Sequence, residues 1–109
     1  MAYDEGVAQR VREALDETAG VAEKKMFGGI AFLLGGKMCC GVVGEELMVR
    51  VGPLAYADAL AEPHAREMDF TGRPMRGLVY VSPAGFESDE ELAQWLARGT
   101  DFARSLPAK

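Results

Sequence analysis

Helical periodicity marks both ends of the chain. Apolar residues recur every three to four positions between Asp4 and Thr18, and Asp4 suits the N-cap of that helix. Near the other end, Ser88 and Glu91 have the spacing of a capping box, and Pro107 closes the segment that follows. Apolar positions in that segment again repeat with helical spacing, at Leu92, Trp95, Leu96, Phe102 and Leu106. We therefore expect an amphipathic helix at each end of the chain.

Short apolar runs separated by glycines fill the segment after the first helix. They cover residues 25–34, 37–43 and 47–51. The pair Gly35-Gly36 between two such runs is typical of a tight hairpin, because primed turns need positive φ. Gly28 and Gly29 fall inside the first run, where glycine marks a bulge or a close approach of another backbone. The pattern predicts a three-stranded antiparallel meander.

The second half predicts a helix and two more strands. Gly52-Pro53 opens a short helix with proline at its first position, and Pro63 ends it. Alternation predicts a strand at 66–70, and the apolar run from Leu78 to Val81 predicts another at 77–82. The order is α-β-β-β-α-β-β-α, which one domain over residues 1–109 accommodates. We expect a two-layer α+β fold with a mainly antiparallel five-stranded sheet and helices on one side.

Charge and apolar run lengths restrict the environment of the protein. Seventeen acidic and twelve basic residues give a net charge of −5, which disfavours general attraction to nucleic acid backbones. The longest apolar run, 30–34, is far shorter than the roughly 20 residues that span a bilayer. The acidic start resembles no signal peptide, and the two cysteines are adjacent. We therefore expect no membrane association and a cytoplasmic location.

The residue types needed for catalysis or metal binding are sparse. His64 is the only histidine and falls in a link between a helix and a strand, so we expect an exposed loop residue. Cys39 and Cys40 are adjacent, whereas zinc sites use spaced cysteine pairs. Neighbours on a regular strand point to opposite faces, so these thiols are poorly placed to pair. We expect small buried hydrophobes there, no metal or cofactor, and no enzymatic activity.

Basic residues supply the candidate binding surface. They cluster around the first hairpin and around the turn near residue 73, and aromatic residues lie nearby. Such a grouping can bind an acidic protein segment or, by stacking, single-stranded nucleic acid; it can also be a solvated, salt-bridged rim of the sheet. The candidate partner-binding residues are Lys24, Lys25, Phe27, Arg50, Arg73 and Arg76.

Three stretches resemble the N-terminal domain of the TfoX/Sxy proteins, which regulate natural competence. They are residues 24–32, 47–52 and 68–77, and Met26-Phe27-Gly28-Gly29 is the most specific part. The resemblance runs from about Tyr3 to Leu106 and implies a two-layer α+β fold similar to secretion-chaperone-like domains. Those regulators carry a second, C-terminal domain, whereas this sequence ends at Lys109. We therefore expect a stand-alone domain here.

This resemblance implies a small non-enzymatic regulatory or protein-interaction module whose partner is another protein or a second copy of the chain. The alternative is a nucleic-acid or transcription-associated regulatory domain, which the net charge disfavours.

Overall fold

A single antiparallel sheet organises the protein. A computed structural model describes residues 3–16, 18, 20–26, 28–67 and 77–106. Of Met26, the last residue in the third range, it describes the backbone alone. The elements are α1 (Glu5–Ala14), β1 (Val21–Met26), β2 (Gly29–Leu34), β3 (Lys37–Val43), β4 (Glu46–Arg50), α2 (Tyr56–Leu60), β5 (Ala65–Glu67), β6 (Leu78–Val81), a 3₁₀ turn (Pro83–Phe86) and α3 (Asp89–Ser105). The sheet order is β1-β2-β3-β4-β6-β5, and every neighbouring pair is antiparallel. The predicted α+β class is confirmed.

The described sheet has six strands where the sequence predicts five. The predicted run 25–34 contains a chain reversal, so it contributes to two strands, β1 and β2. Gly28 lies in the reversal with φ +74°, a conformation that favours glycine. Gly29 follows at the start of β2, where a Cβ would lie 2.2 Å from the carbonyl oxygen of Val42. The neighbour that requires Gly29 is therefore β3 of the same sheet.

The main core lies between the three helices and one face of the sheet, here called the helix-side face. Leu92, Trp95 and Leu96 of α3 belong to it together with Val11 of α1 and Ala59 of α2. The helix-side face contributes Ile30, Phe32, Val42, Leu47, Val49, Val79 and Val81. The opposite face, here called the far face, carries a smaller buried cluster of Ala31, Met48, Leu78 and Tyr80.

Helix boundaries follow the predicted caps at two of three places. The Asp4 side chain accepts from the Val7 backbone N–H, and Ser88 forms a complete capping box with Glu91. The predicted short helix is confirmed as α2, but its predicted start is wrong, because α2 begins at Tyr56 and Pro53 lies in the preceding bend. Strand β5 is described over Ala65–Glu67; the remainder of the predicted strand, 68–70, lies outside the described residues. No helix in the described part of the chain is long and apolar enough to cross a bilayer.

Candidate functional site

Strand β1 forms one edge of the sheet, and its outer side faces solvent. It pairs with β2 on one side, and no described strand pairs with its other side. Four consecutive residues, Ala22, Glu23, Lys24 and Lys25, are exposed. An unpaired row of backbone N–H and C=O groups can template pairing with another chain. This edge is therefore the candidate interaction site.

The hydrogen-bond pattern shows which backbone groups of β1 point outward. The Gly35 N–H donates to the Gly20 carbonyl oxygen at 3.1 Å, so these facing residues form a hydrogen-bonded pair. Because such pairs alternate along an antiparallel ladder, Ala22 and Lys24 also bond to β2. The residues that alternate with these two along β1 direct their N–H and C=O groups away from β2. Val21, Glu23 and Lys25 therefore present the outward backbone groups.

The side chains of β1 divide between the two faces of the sheet. Lys25 is opposite Ile30 of the main core and so lies on the helix-side face, whereas Lys24 is opposite Ala31 on the far face. Glu23 shares the helix-side face with Lys25. The two predicted lysines thus flank the edge from above and below and do not form one basic surface.

A cleft of about 310 Å³ separates the end of α1 from β1 on the helix-side face. Arg12 crosses it, and its Nε lies 2.7 Å from Glu23 Oε2. This hydrogen bond raises the pKa of Arg12 above its ordinary value. Asp16 adds a second carboxylate to the lining, which leaves one net negative charge. The lining residues of this α1–β1 cleft are Arg12, Leu15, Asp16, Thr18, Val21, Glu23 and Phe32.

Of the other predicted binding residues, Arg50 is the one that the structure describes, and it does not join this edge. Arg50 ends β4, three strands from β1, and its guanidinium lies 5.2 Å from the ring centroid of Phe102. The predictions at Phe27, Arg73 and Arg76 lie outside the described residues. Of the six candidates, the structure brings together Lys24 and Lys25.

Glu23, the acidic residue at this edge, was not among the candidate residues predicted from the sequence. Glu23 immediately precedes the two lysines, and its charge was a visible signal. Its outward backbone and its place in the cleft follow only from the pairing of β1 with β2.

A β-bulge overturns the expected placement of the two cysteines. Phe32 faces Cys40 and Leu33 faces Met38, so Cys39 is the extra residue. Both thiols are buried and free, and their sulfurs lie 3.8 Å apart. The hydrogen bond between them lowers the pKa of Cys39 and raises the pKa of Cys40, which burial raises further.

Centres for other chemistry are sparse in the described residues. No group of three or more potential metal ligands occurs there. His64 lies exposed in the α2–β5 link with φ +72°, and its carbonyl oxygen accepts from the Ser82 N–H at 2.9 Å. The sequence prediction of an exposed loop residue is confirmed.

Comparison with known proteins places the chain in a family. Among curated proteins, none matches the chain. The family model of the TfoX N-terminal domain matches residues 13–103, which include all of β1 and every other strand. The chain belongs to the TfoX N-terminal domain family.

Proposed function

We propose that this protein is a small non-enzymatic regulatory module that binds a protein partner by strand addition at β1. The observation that carries the proposal is the exposed outer side of β1, where Val21, Glu23 and Lys25 direct unpaired backbone groups into solvent. An extended segment from a partner would continue the sheet through these groups, with main-chain hydrogen bonds giving affinity and side chains giving specificity.

Charge placement favours a protein over nucleic acid as the partner. Lys24 and Lys25 lie on opposite faces, with Glu23 beside them. A phosphate backbone is bound best by a groove with one sign of charge. Arg66, near the opposite edge, forms an ion pair with Glu46 and stacks 4.6 Å from the Tyr80 ring centroid. A net charge of −5 also opposes binding to nucleic acid.

The remaining chemistry supports a binding role in the cytoplasm. The exposed His64 is contacted by the Ser82 hydroxyl, which donates to its backbone carbonyl oxygen at 3.4 Å. Buried, unbridged Cys39 and Cys40 suit a reducing compartment.

Two proline substitutions on neighbouring residues test strand addition. Lys25→Pro removes an outward N–H, a place where an edge strand tolerates proline, so the fold should remain and partner capture should be lost. Lys24→Pro removes an N–H that bonds to β2 and should destabilise the fold. Circular dichroism and thermal melting separate the two effects.

The partner is captured from native cells with the wild type, then assayed in purified form against each variant. Hydrogen exchange should show slower exchange of the Glu23 and Lys25 amides in the complex. A folded Lys25→Pro variant that binds the purified partner as tightly as the wild type would show that the partner uses another surface.

A further inference from the structure

We infer that the strand received by β1 is β1 of a second copy, paired antiparallel about a two-fold axis at Lys24. This inference rests on the proposed use of β1. A two-fold axis perpendicular to the sheet keeps the helices of both copies on the same side. Lys24 then faces Lys24 of the second copy, and Glu23 faces Lys25 of the second copy. The result is one continuous twelve-stranded sheet from two six-stranded ones.

The backbone pattern of β1 fits this register. Glu23 and Lys25 are the residues whose N–H and C=O groups point outward. In the register centred on Lys24 these two residues oppose each other twice, once on each side of the axis. Each pair can exchange two hydrogen bonds, so four backbone bonds form across the axis.

Charge selects this register over its neighbours. Centring the axis on Lys24 places Glu23 opposite Lys25 twice, and opposite charges directly across a ladder stabilise it. Centring it on Glu23 or on Lys25 instead places two like charges opposite each other on the helix-side face. The Lys24–Lys24 contact is repulsive, but it occurs once, on the far face, with both side chains exposed.

The α1–β1 cleft offers a place for the incoming lysine. Lys25 of the second copy enters on the helix-side face, directly opposite Glu23, which lines the cleft. Asp16 supplies a second carboxylate, and the one positive charge of Arg12 leaves the lining acidic overall. The amino group is therefore received by a negatively charged cleft, and each copy contributes one such contact.

The expected dimer is weak and concentration-dependent. Edge pairing of one six-residue strand buries less surface than a standard stable interface, and each copy carries a net charge of −5. Sedimentation at physiological ionic strength over a wide range of concentration is therefore the appropriate measurement.

Charge exchange across the axis tests the inference. Glu23→Lys places two lysine pairs in the interface and Lys25→Glu places two glutamate pairs there, so each variant alone should dimerise at least tenfold more weakly. An equimolar mixture of the two should form a heterodimer, because every exchanged pair is again opposite in charge. Native mass spectrometry identifies the heterodimer by its mass.

Two controls accompany this test. Lys37→Glu makes the same charge change as Lys25→Glu but lies at the β2–β3 turn, and it should leave dimerisation within twofold of the wild type. Circular dichroism of Glu23→Lys confirms folding after the loss of its contact with Arg12.

Three results would overturn self-pairing: a wild type that stays monomeric at the highest concentration, single variants that dimerise normally, or a mixture without heterodimer. If self-pairing fails while Lys25→Pro still abolishes binding of a captured partner, strand addition stands and its occupant is another protein. If Lys25→Pro leaves all binding unchanged, both proposals fail.

Discussion

Replacing Gly99 with alanine sets two physical effects against each other. Gly99 is buried in α3, directly over the carbonyl group of Cys39 in β3. Alanine is favoured over glycine inside a helix by about 1 kcal/mol, so propensity alone predicts a more stable protein. However, an added Cβ would lie 2.2 Å from the Cys39 oxygen and 3.0 Å from the carbonyl carbon.

The steric effect should win, because the neighbour is backbone and cannot rotate away. To bring the contact from 2.2 Å to at least 3.0 Å, α3 must lift from the sheet by most of an ångström. A gap of that size removes roughly a quarter to a half of the dispersion attraction at each contact between α3 and the sheet that it opens. Overpacking costs about 1–3 kcal/mol. Because the clash is with backbone, the upper half of that range, about 2–3 kcal/mol, applies, and after the propensity gain we expect a net loss of about 1–2 kcal/mol for Gly99→Ala.

Urea unfolding followed by the fluorescence of Trp95 measures this loss. The midpoint should fall with the slope unchanged, and the melting temperature should fall by roughly 5–10 °C. Gly6→Ala is the matched control, because Gly6 is an exposed residue of α1 whose added Cβ would meet only the Asp4 side chain, at 3.1 Å, and a side chain can shift by a few tenths of an ångström where backbone cannot. It should keep or raise stability. If Gly99→Ala is as stable as Gly6→Ala, the close approach of α3 to β3 is wrong.

Two further substitutions test the last helix. Trp95→Ala should cost about 3–5 kcal/mol in urea unfolding, because the ring is 7% exposed within the core; an unmoved midpoint would place it on the surface. Hydrogen bonds from the Ser88 N–H and hydroxyl lower the pKa of Glu91 below its ordinary 4.5. A lowered folded-state pKa stabilises above the unfolded value, and that stabilisation is lost as pH falls through the folded value. The stability difference between wild type and Glu91→Gln should therefore shrink as the pH falls below about 4.5, and a difference that grows in acid would contradict the capping box.

Local signals in the sequence predicted those parts of the fold that local interactions determine. Asp4 and Ser88 cap their helices with their own side chains, within three residues of the groups they bind. The Gly35-Gly36 turn has two positive φ angles, as a primed hairpin requires. In each case the cause lies in neighbouring residues, so it is visible in the sequence.

Features that depend on distant partners were missed. β1 begins at Val21 and contains Glu23 and Lys24, which have no strand pattern or propensity; pairing with β2 makes it a strand. Likewise, the bulge that brings the sulfurs of Cys39 and Cys40 together depends on β2 contributing one residue opposite two.

The same dependence explains why the candidate binding edge was predicted only in part. The lysines were visible as charges, but their separation onto opposite faces and the outward backbone of the residues beside them depend on the register with β2.

The two edges of the sheet suggest why β1 is the edge available for pairing. β5 has three described residues, and Arg66 at their centre is engaged by Glu46 and Tyr80. β1 spans six residues, and its exposed lysines are the charges that commonly prevent edge aggregation. On the helix-side face, Lys25 disfavours any partner strand that places a basic residue opposite it. An open edge that tolerates one charge pattern combines solubility with selectivity, which is what the proposed strand addition at β1 requires.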